Sequence, residues 1–192
     1  MSTITVKVPN WLDRIFAWPA VLYRLWKYGY AYRKIYLDEG KRTILDPQDY
    51  YRFARFKWHL NGYRDKYYAI RSQITGPKDI RIVRLHRLIM NAPDGVFVDH
   101  INGDSLDNRR ANLRLATRSQ NMSNRRKTKI KTTSQYIGVS LEKSRGLWVT
   151  TIRNNNKSIW LGRFNSEIDA AKAYDEAAKK YHGEFARLNS SR

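Results

Sequence analysis

Val96 to Asn121 reads VFVDHINGDSLDNRRANLRLATRSQN. Val96, Phe97 and Val98 run as a strand into Asp99-His100, and Ile101-Asn102-Gly103-Asp104 then carries turn chemistry. A short strand follows at Leu113 to Ala116, and Thr117 with Gln120 makes a capping box that opens a helix bearing Asn121. The stretch predicts a ββα unit with Asp99 and His100 at a strand end and Asn121 in the first turns of the helix. Ideal strand alternation sends Asp99 and His100 to opposite faces, so a shared site requires twist or a strand end near Ile101-Asn102-Gly103. A carboxylate and an amide oxygen suit a hard cation, and a histidine titrating near neutrality is a base for water. Together they suffice to hydrolyse a phosphodiester. The competing reading is a plain turn, in which Asn-Gly and Asp shape the loop and His100 makes one hydrogen bond. The joint spacing, the helix cap and the surrounding arginines favour a site.

Composition points the same way. Of 192 residues, 37 are Lys or Arg and 17 are Asp or Glu, so the net charge of +20 attracts polyanions, with double-stranded DNA the expected partner. The 13 Tyr and 6 Trp suit both a packed core and stacking on nucleic acid. The absence of cysteine excludes disulfides, thiolate nucleophiles and cysteine-based zinc sites. Trp11 to Trp26 is apolar, but Asp13, Arg14 and Pro19 interrupt it well short of the ~20 residues a bilayer requires. No membrane partner is expected, and the protein reads as cytoplasmic rather than secreted.

Further out, Ile35-Tyr36-Leu37 and Thr43-Ile44-Leu45 flank Asp38-Glu39-Gly40 as a hairpin, and Asp46-Pro47 caps a short helix through Phe56. Trp58 to Leu60, Tyr67 to Arg71 and Ile80 to Leu85 predict further strands, and Leu85 to Met90 a helical turn. Arg109, Arg110, Arg114, Arg118, Arg125, Arg126, Lys127, Lys129 and Lys131 follow without an intervening acid, which places a basic linker at 127–134. Beyond it, Tyr136 to Ser140, Leu147 to Arg153 and Lys157 to Phe164 predict a three-stranded antiparallel meander, and Ser166 to His182 a helix ended by Gly183. The fold class is therefore α+β. Its divisions are an N-terminal helical or linker segment at 1–30, a region at 31–126 with its ββα core at about 96–124, the linker, and a small sheet-plus-helix domain at 135–192. His86, His59 and His182 are read as packing or surface residues, the last two for want of an acidic partner at ligand spacing.

DHINGDSLDNRRANLRLATRSQN resembles the core of HNH endonucleases, especially intron-encoded and free-standing homing enzymes of phages and bacteria, over about Leu85 to Asn124. The resemblance implies a ββα-metal fold and cleavage of DNA in a bacterial or phage-infected cell. It makes Asp99 and Asn121 the metal ligands, His100 the general base, and Asn112 a brace for the histidine strand. Asn108 competes with Asn112 for that role, and Asp104 or Asp107 with Asp99. Asn121 stands where many members have histidine, and the usual zinc-binding cysteine pairs are missing. The expected cofactor is thus Mg2+, with Mn2+ able to substitute and no zinc.

YIGVSLEKSRGLWVTTIRNNNKSIWLGRFNSEIDAAKAYDEAAKKYHGEFARLN resembles the AP2 DNA-binding domain over about Gln135 to Asn189. That resemblance implies a three-stranded sheet laid in the DNA major groove and makes Trp148, Arg153 and Trp160 DNA-facing residues. Ile137 and Ser140 stand where many plant members have arginine, so part of the base-reading set is missing. Lys143, Arg145, Lys157 and Arg163 offer phosphate contacts, as do Arg109, Arg110, Arg114, Arg118, Arg125, Arg126 and Lys127. The expected protein is a metal-dependent DNA endonuclease of the homing type, monomeric, nicking or cutting duplex DNA. A non-cleaving regulatory or architectural DNA-binding protein and an RNA-binding protein are the alternatives.

Overall fold

The computed structural model describes residues 10–63, 66–76, 79–124 and 133–190. It divides into two compact units, one of Met1–Ala92 with Asp104–Arg114 and one of Pro93–Gly103 with Leu115–Arg192.

The first unit opens with helix α1 (Asn10–Tyr28), which contains Pro19. Strands β1 (Arg33–Tyr36) and β2 (Arg42–Leu45) form the expected hairpin, with Ile35 opposite Thr43 and a 3-10 turn at Asp38–Gly40. Helix α2 (Pro47–Phe53) starts at the expected proline. Asp46 sits at its N-cap position without capping it, because the carboxylate instead accepts the Arg110 backbone N–H at 2.8 Å. Strands β3 (His59–Tyr63), β4 (Lys66–Gly76) and β5 (Asp79–Arg84) make an antiparallel sheet in that order, followed by the short helix α3 (Leu85–Ile89). Leu45, Phe53, Trp58, Ala69, Leu85 and Ile89 are buried, and the Trp58 indole N–H donates to the Phe53 carbonyl at 2.9 Å.

The polar segment from Asp104 onward is stitched onto β2. Ile44 N–H donates to the Leu106 carbonyl at 3.0 Å, and Asn108 N–H donates to the Ile44 carbonyl at 2.8 Å. The Thr43 hydroxyl donates to the Leu106 carbonyl and accepts from the Asn108 amide, each at 2.7 Å. Thr43 and Asn108 are both 0% exposed, so this polar seam is buried and closed by its own partners.

Strand β6 (Phe97–His100), in the second unit, pairs with β7 (Leu113–Ala116), whose last two residues belong to that unit, and α4 (Arg118–Ser123) packs on β6. The expected capping box is present: the Thr117 hydroxyl accepts from Gln120 N–H, and the Gln120 side chain accepts from Thr117 N–H. Thr117→Ala is expected to destabilise α4 by about 1 kcal/mol. A lower denaturation midpoint checks this, and an unchanged one refutes it.

The remaining chain forms the three-stranded antiparallel sheet β10-β9-β8 from β8 (Val139–Glu142), β9 (Leu147–Asn154) and β10 (Lys157–Phe164), covered by α5 (Glu167–His182). The β9–β10 turn places Asn155 and Asn156 at φ 48 and 63, the residues and geometry of a primed hairpin turn. β8 starts at Val139 rather than Tyr136 because Gly138, at φ 74, turns the chain first. Alternation sends Ile152 and Val139 toward α5, where the small side chains of Ala170, Ala171, Ala177 and Ala178 admit close approach and Tyr174 fills the centre. Burial raises the Tyr174 hydroxyl pKa.

A clip ties the segment after α5 back to the residues just before β8. The Asp175 carboxylate accepts Asn189 N–H at 2.7 Å and Ser190 N–H at 2.9 Å. The Asn189 side chain in turn accepts from Ile137 N–H at 2.7 Å and donates to the Ile137 carbonyl at 3.3 Å.

Candidate active site and nucleic-acid surface

Asp99 and His100 are the last two residues of β6, and both are buried, at 5% and 7% exposure. The alternation problem is resolved by termination: Ile101 begins a turn, Gly103 adopts φ 73, and Gly103 N–H donates to the His100 carbonyl at 2.8 Å. A single ordered turn therefore fixes the exit of the strand directly after the histidine.

Helix α4 brings two asparagines to this strand end. Asn121 N–H bonds the Thr117 carbonyl at 3.0 Å, while its side chain makes no hydrogen bond with any described residue. Asn124, three residues on and hence on the same helix face, ends α4. Its amide nitrogen lies 3.1 and 3.0 Å from the two Asp99 carboxylate oxygens, 2.9 Å from the His100 carbonyl and 3.3 Å from the Ile101 carbonyl. Sequence reasoning missed Asn124; its three-residue spacing from Asn121 was the available signal.

Asn112 belongs to the first unit, where it is buried and its amide donates to the Asp107 carbonyl at 2.8 Å. Its competitor Asn108 takes part in the seam with Thr43. The alternative carboxylates also have local work: Asp104 accepts Leu106 N–H at 2.9 Å, and Asp107 pairs with Arg109. His86 is buried against the Tyr68 ring, and His182 bonds the Arg153 carbonyl at 2.9 Å. His59 is a partly exposed residue that pairs with Asp38, 21 positions earlier in the sequence, at 2.9 Å. The hydrogen bond with His59 lowers the Asp38 pKa.

The cations divide into two groups. Arg109 grips Asp107 through Nε at 2.8 Å and Nη2 at 2.6 Å, with its guanidinium 3.5 Å over the Tyr30 ring. Arg110 makes a similar fork to Asp49, at 2.7 and 2.8 Å. Hydrogen bonds to these carboxylates raise both arginine pKa values, so the two guanidiniums are committed within the unit. Arg118, Lys143, Arg145 and Arg153 are exposed, Arg114 is half-buried, and Arg125, Arg126 and Lys127 lie outside the described residues.

On the C-terminal sheet the register separates the two expected tryptophans. Trp148 is in step with Thr150 and Ile152 on the helix side and packs with Val139, Ala170 and Ala171. Trp160 opposes Thr151 on the outer face and is 58% exposed. Ser158 opposite Arg153, and Arg163 opposite Val149, complete that face. Arg163 Nε bonds Glu142 at 2.6 Å, lowering the Glu142 pKa, and leaves the guanidinium 5.7 Å from the Trp160 ring.

No group of three or more His, Cys, Asp or Glu side chains fit to hold a metal occurs among the described residues. Asp99 offers a carboxylate and Asn121, on the helix that packs on β6, a side-chain amide oxygen; donors of this chemistry suit a magnesium-type ion rather than a soft metal. No helix among the described residues is long and apolar enough to cross a membrane.

Comparison with known proteins matches residues 83–123 to the HNH endonuclease model and residues 134–184 to the AP2 domain model. An uncharacterized HNH endonuclease of Acanthamoeba polyphaga mimivirus is 30% identical over 144 residues, covering 71% of this chain and 68% of the relative. The chain belongs to the HNH endonucleases. It is a nuclease that carries an AP2 DNA-binding domain. Dehydration-responsive element-binding proteins 2C and 2A of Arabidopsis thaliana are 48% identical over 56 residues and 51% identical over 49 residues. Those matches cover 28% and 24% of this endonuclease and only 16% and 15% of the plant proteins. No solved structure matches the chain significantly.

Proposed function

We propose that this HNH endonuclease is a monomeric, metal-dependent enzyme of the homing type that hydrolyses a phosphodiester bond of double-stranded DNA. The observation that carries this reading is the pairing of buried Asp99 and His100 at the end of β6 with the helix that bears Asn121. Asp99 and the Asn121 side-chain oxygen hold a divalent ion, Mg2+ or Mn2+. Bound there, the ion supplies positive charge against the charge that develops on the phosphate in the transition state. The His100 imidazole takes a proton from the attacking water. Asn112 braces the loop between the two strands through Asp107.

DNA is held by the outer face of the AP2 sheet, where Arg153, Trp160 and Arg163 contact the duplex, with Lys143 and Arg145 on phosphates. Arg114, Arg118, Arg125, Arg126 and Lys127 extend the phosphate contacts. Arg109 and Arg110, already forked onto carboxylates, serve to fix the polar segment.

Purified protein incubated with supercoiled plasmid is expected to give nicked or linear product with Mg2+ or Mn2+, and none with EDTA or with Zn2+ alone. Intact plasmid under both Mg2+ and Mn2+ refutes the reading. The ratio of nicked to linear product reports one-strand or two-strand cleavage.

A further inference from the structure

We propose that Asn124 is a positioning residue that presents the Asp99 carboxylate to the metal; this rests on the metal reading above. An amide nitrogen carries two hydrogens. Here it faces four acceptors: both Asp99 oxygens at 3.1 and 3.0 Å, the His100 carbonyl at 2.9 Å and the Ile101 carbonyl at 3.3 Å. One hydrogen is shared across the carboxylate and the other across the two carbonyls. The carboxylate is thereby held through both oxygens, which restrains its rotation. Asn124 is 7% exposed, so water competes poorly for these bonds.

The choice of a neutral donor matters. An Arg or Lys in the same place would orient Asp99 equally well while cancelling the charge that attracts a cation. An amide orients the carboxylate without itself adding a positive charge beside it. Because the same nitrogen also bonds the backbone of His100, it couples the helix end, the carboxylate and the base-bearing residue into one body. Asn121, one turn earlier, keeps its side chain clear of described partners. The two asparagines thus divide the work, one binding and one holding.

Mn2+ binding to the full chain, followed by electron paramagnetic resonance, tests this apart from cleavage. Asn124→Ala is expected to weaken Mn2+ binding by about ten- to a hundred-fold. Asn124→Ser, which restores a hydroxyl donor, is expected to recover part of that loss. Asn108→Ala removes a different buried amide, from the first unit, and is expected to lower thermal stability with Mn2+ affinity retained. Wild-type Mn2+ affinity in folded Asn124→Ala overturns the proposal. If that variant does not fold, wild-type affinity in Asn124→Ser does so. A weakening equal in Asn108→Ala and Asn124→Ala also overturns it, since the effect is then general destabilisation. Failure of the unaltered protein to bind Mn2+ overturns the metal reading and this proposal together.

Discussion

His100→Ala is expected to reduce plasmid cleavage by about a thousand-fold, the scale on which a positioned general base acts, while duplex DNA affinity measured with Ca2+ stays near wild type. The separation follows from geometry. His100 lies at the end of β6, and its backbone carbonyl, which the substitution keeps, holds the turn through Gly103 and the helix end through Asn124. The AP2 sheet, proposed above to hold DNA, has its own core around Ile152 and Tyr174. Loss of the imidazole therefore removes a proton acceptor and leaves the backbone scaffold in place. Parallel gel-shift and cleavage titrations check this. Equal losses of binding and cleavage would assign His100 to DNA binding or folding.

Gly138→Ala is expected to unfold the AP2 unit, or bring it close to unfolding, at ambient temperature. Two costs combine at this position. Its φ of 74 lies in the left-handed region, which costs an L-residue about 1–2 kcal/mol. An added Cβ would also collide with the Tyr174 ring and sit 2.6 Å from the Thr151 carbonyl oxygen, overpacking that costs about 1–3 kcal/mol. The ring cannot retreat easily, because it is wedged among Ile152, Ala177 and Ala178. A sum of about 2–5 kcal/mol rivals the total stability of a unit of about 60 residues, at roughly 0.05–0.15 kcal/mol per residue. Thermal unfolding followed by tryptophan fluorescence should show the loss, together with loss of DNA binding. A melting temperature unchanged from wild type contradicts the argument.

The sequence was most legible where partners are close along the chain. Thr117 and Gln120 are three residues apart, so the start of α4 could be read from local spacing, as could the Asn155-Asn156 turn and the α5 start at Ser166. The candidate residues Asp99, His100 and Asn121 stand out in the sequence by their spacing and by resemblance, and the end of β6 explains how the neighbours Asp99 and His100 are both buried. Long-range pairings were not legible. Asn108 finds Thr43, Arg110 finds Asp49 and His59 finds Asp38, each across a stretch of sequence that local periodicity does not connect. Arg109 and Arg110 look in sequence like any other cations of a basic run, and only folded proximity assigns them carboxylates. Trp148 and Trp160 share residue type and a basic setting, yet strand register puts them on opposite faces.

The clip between Asp175 and Asn189 bears on where the AP2 unit physically ends. The matched region stops at residue 184, before the clip closes. A fragment cut there would keep all three strands and α5, yet leave the buried Asp175 carboxylate without its two backbone donors and Ile137 without the Asn189 amide. An unpaired buried charge is among the costlier defects a small unit can carry. A border drawn at residue 184 therefore falls inside the folded body, which extends through Ser190.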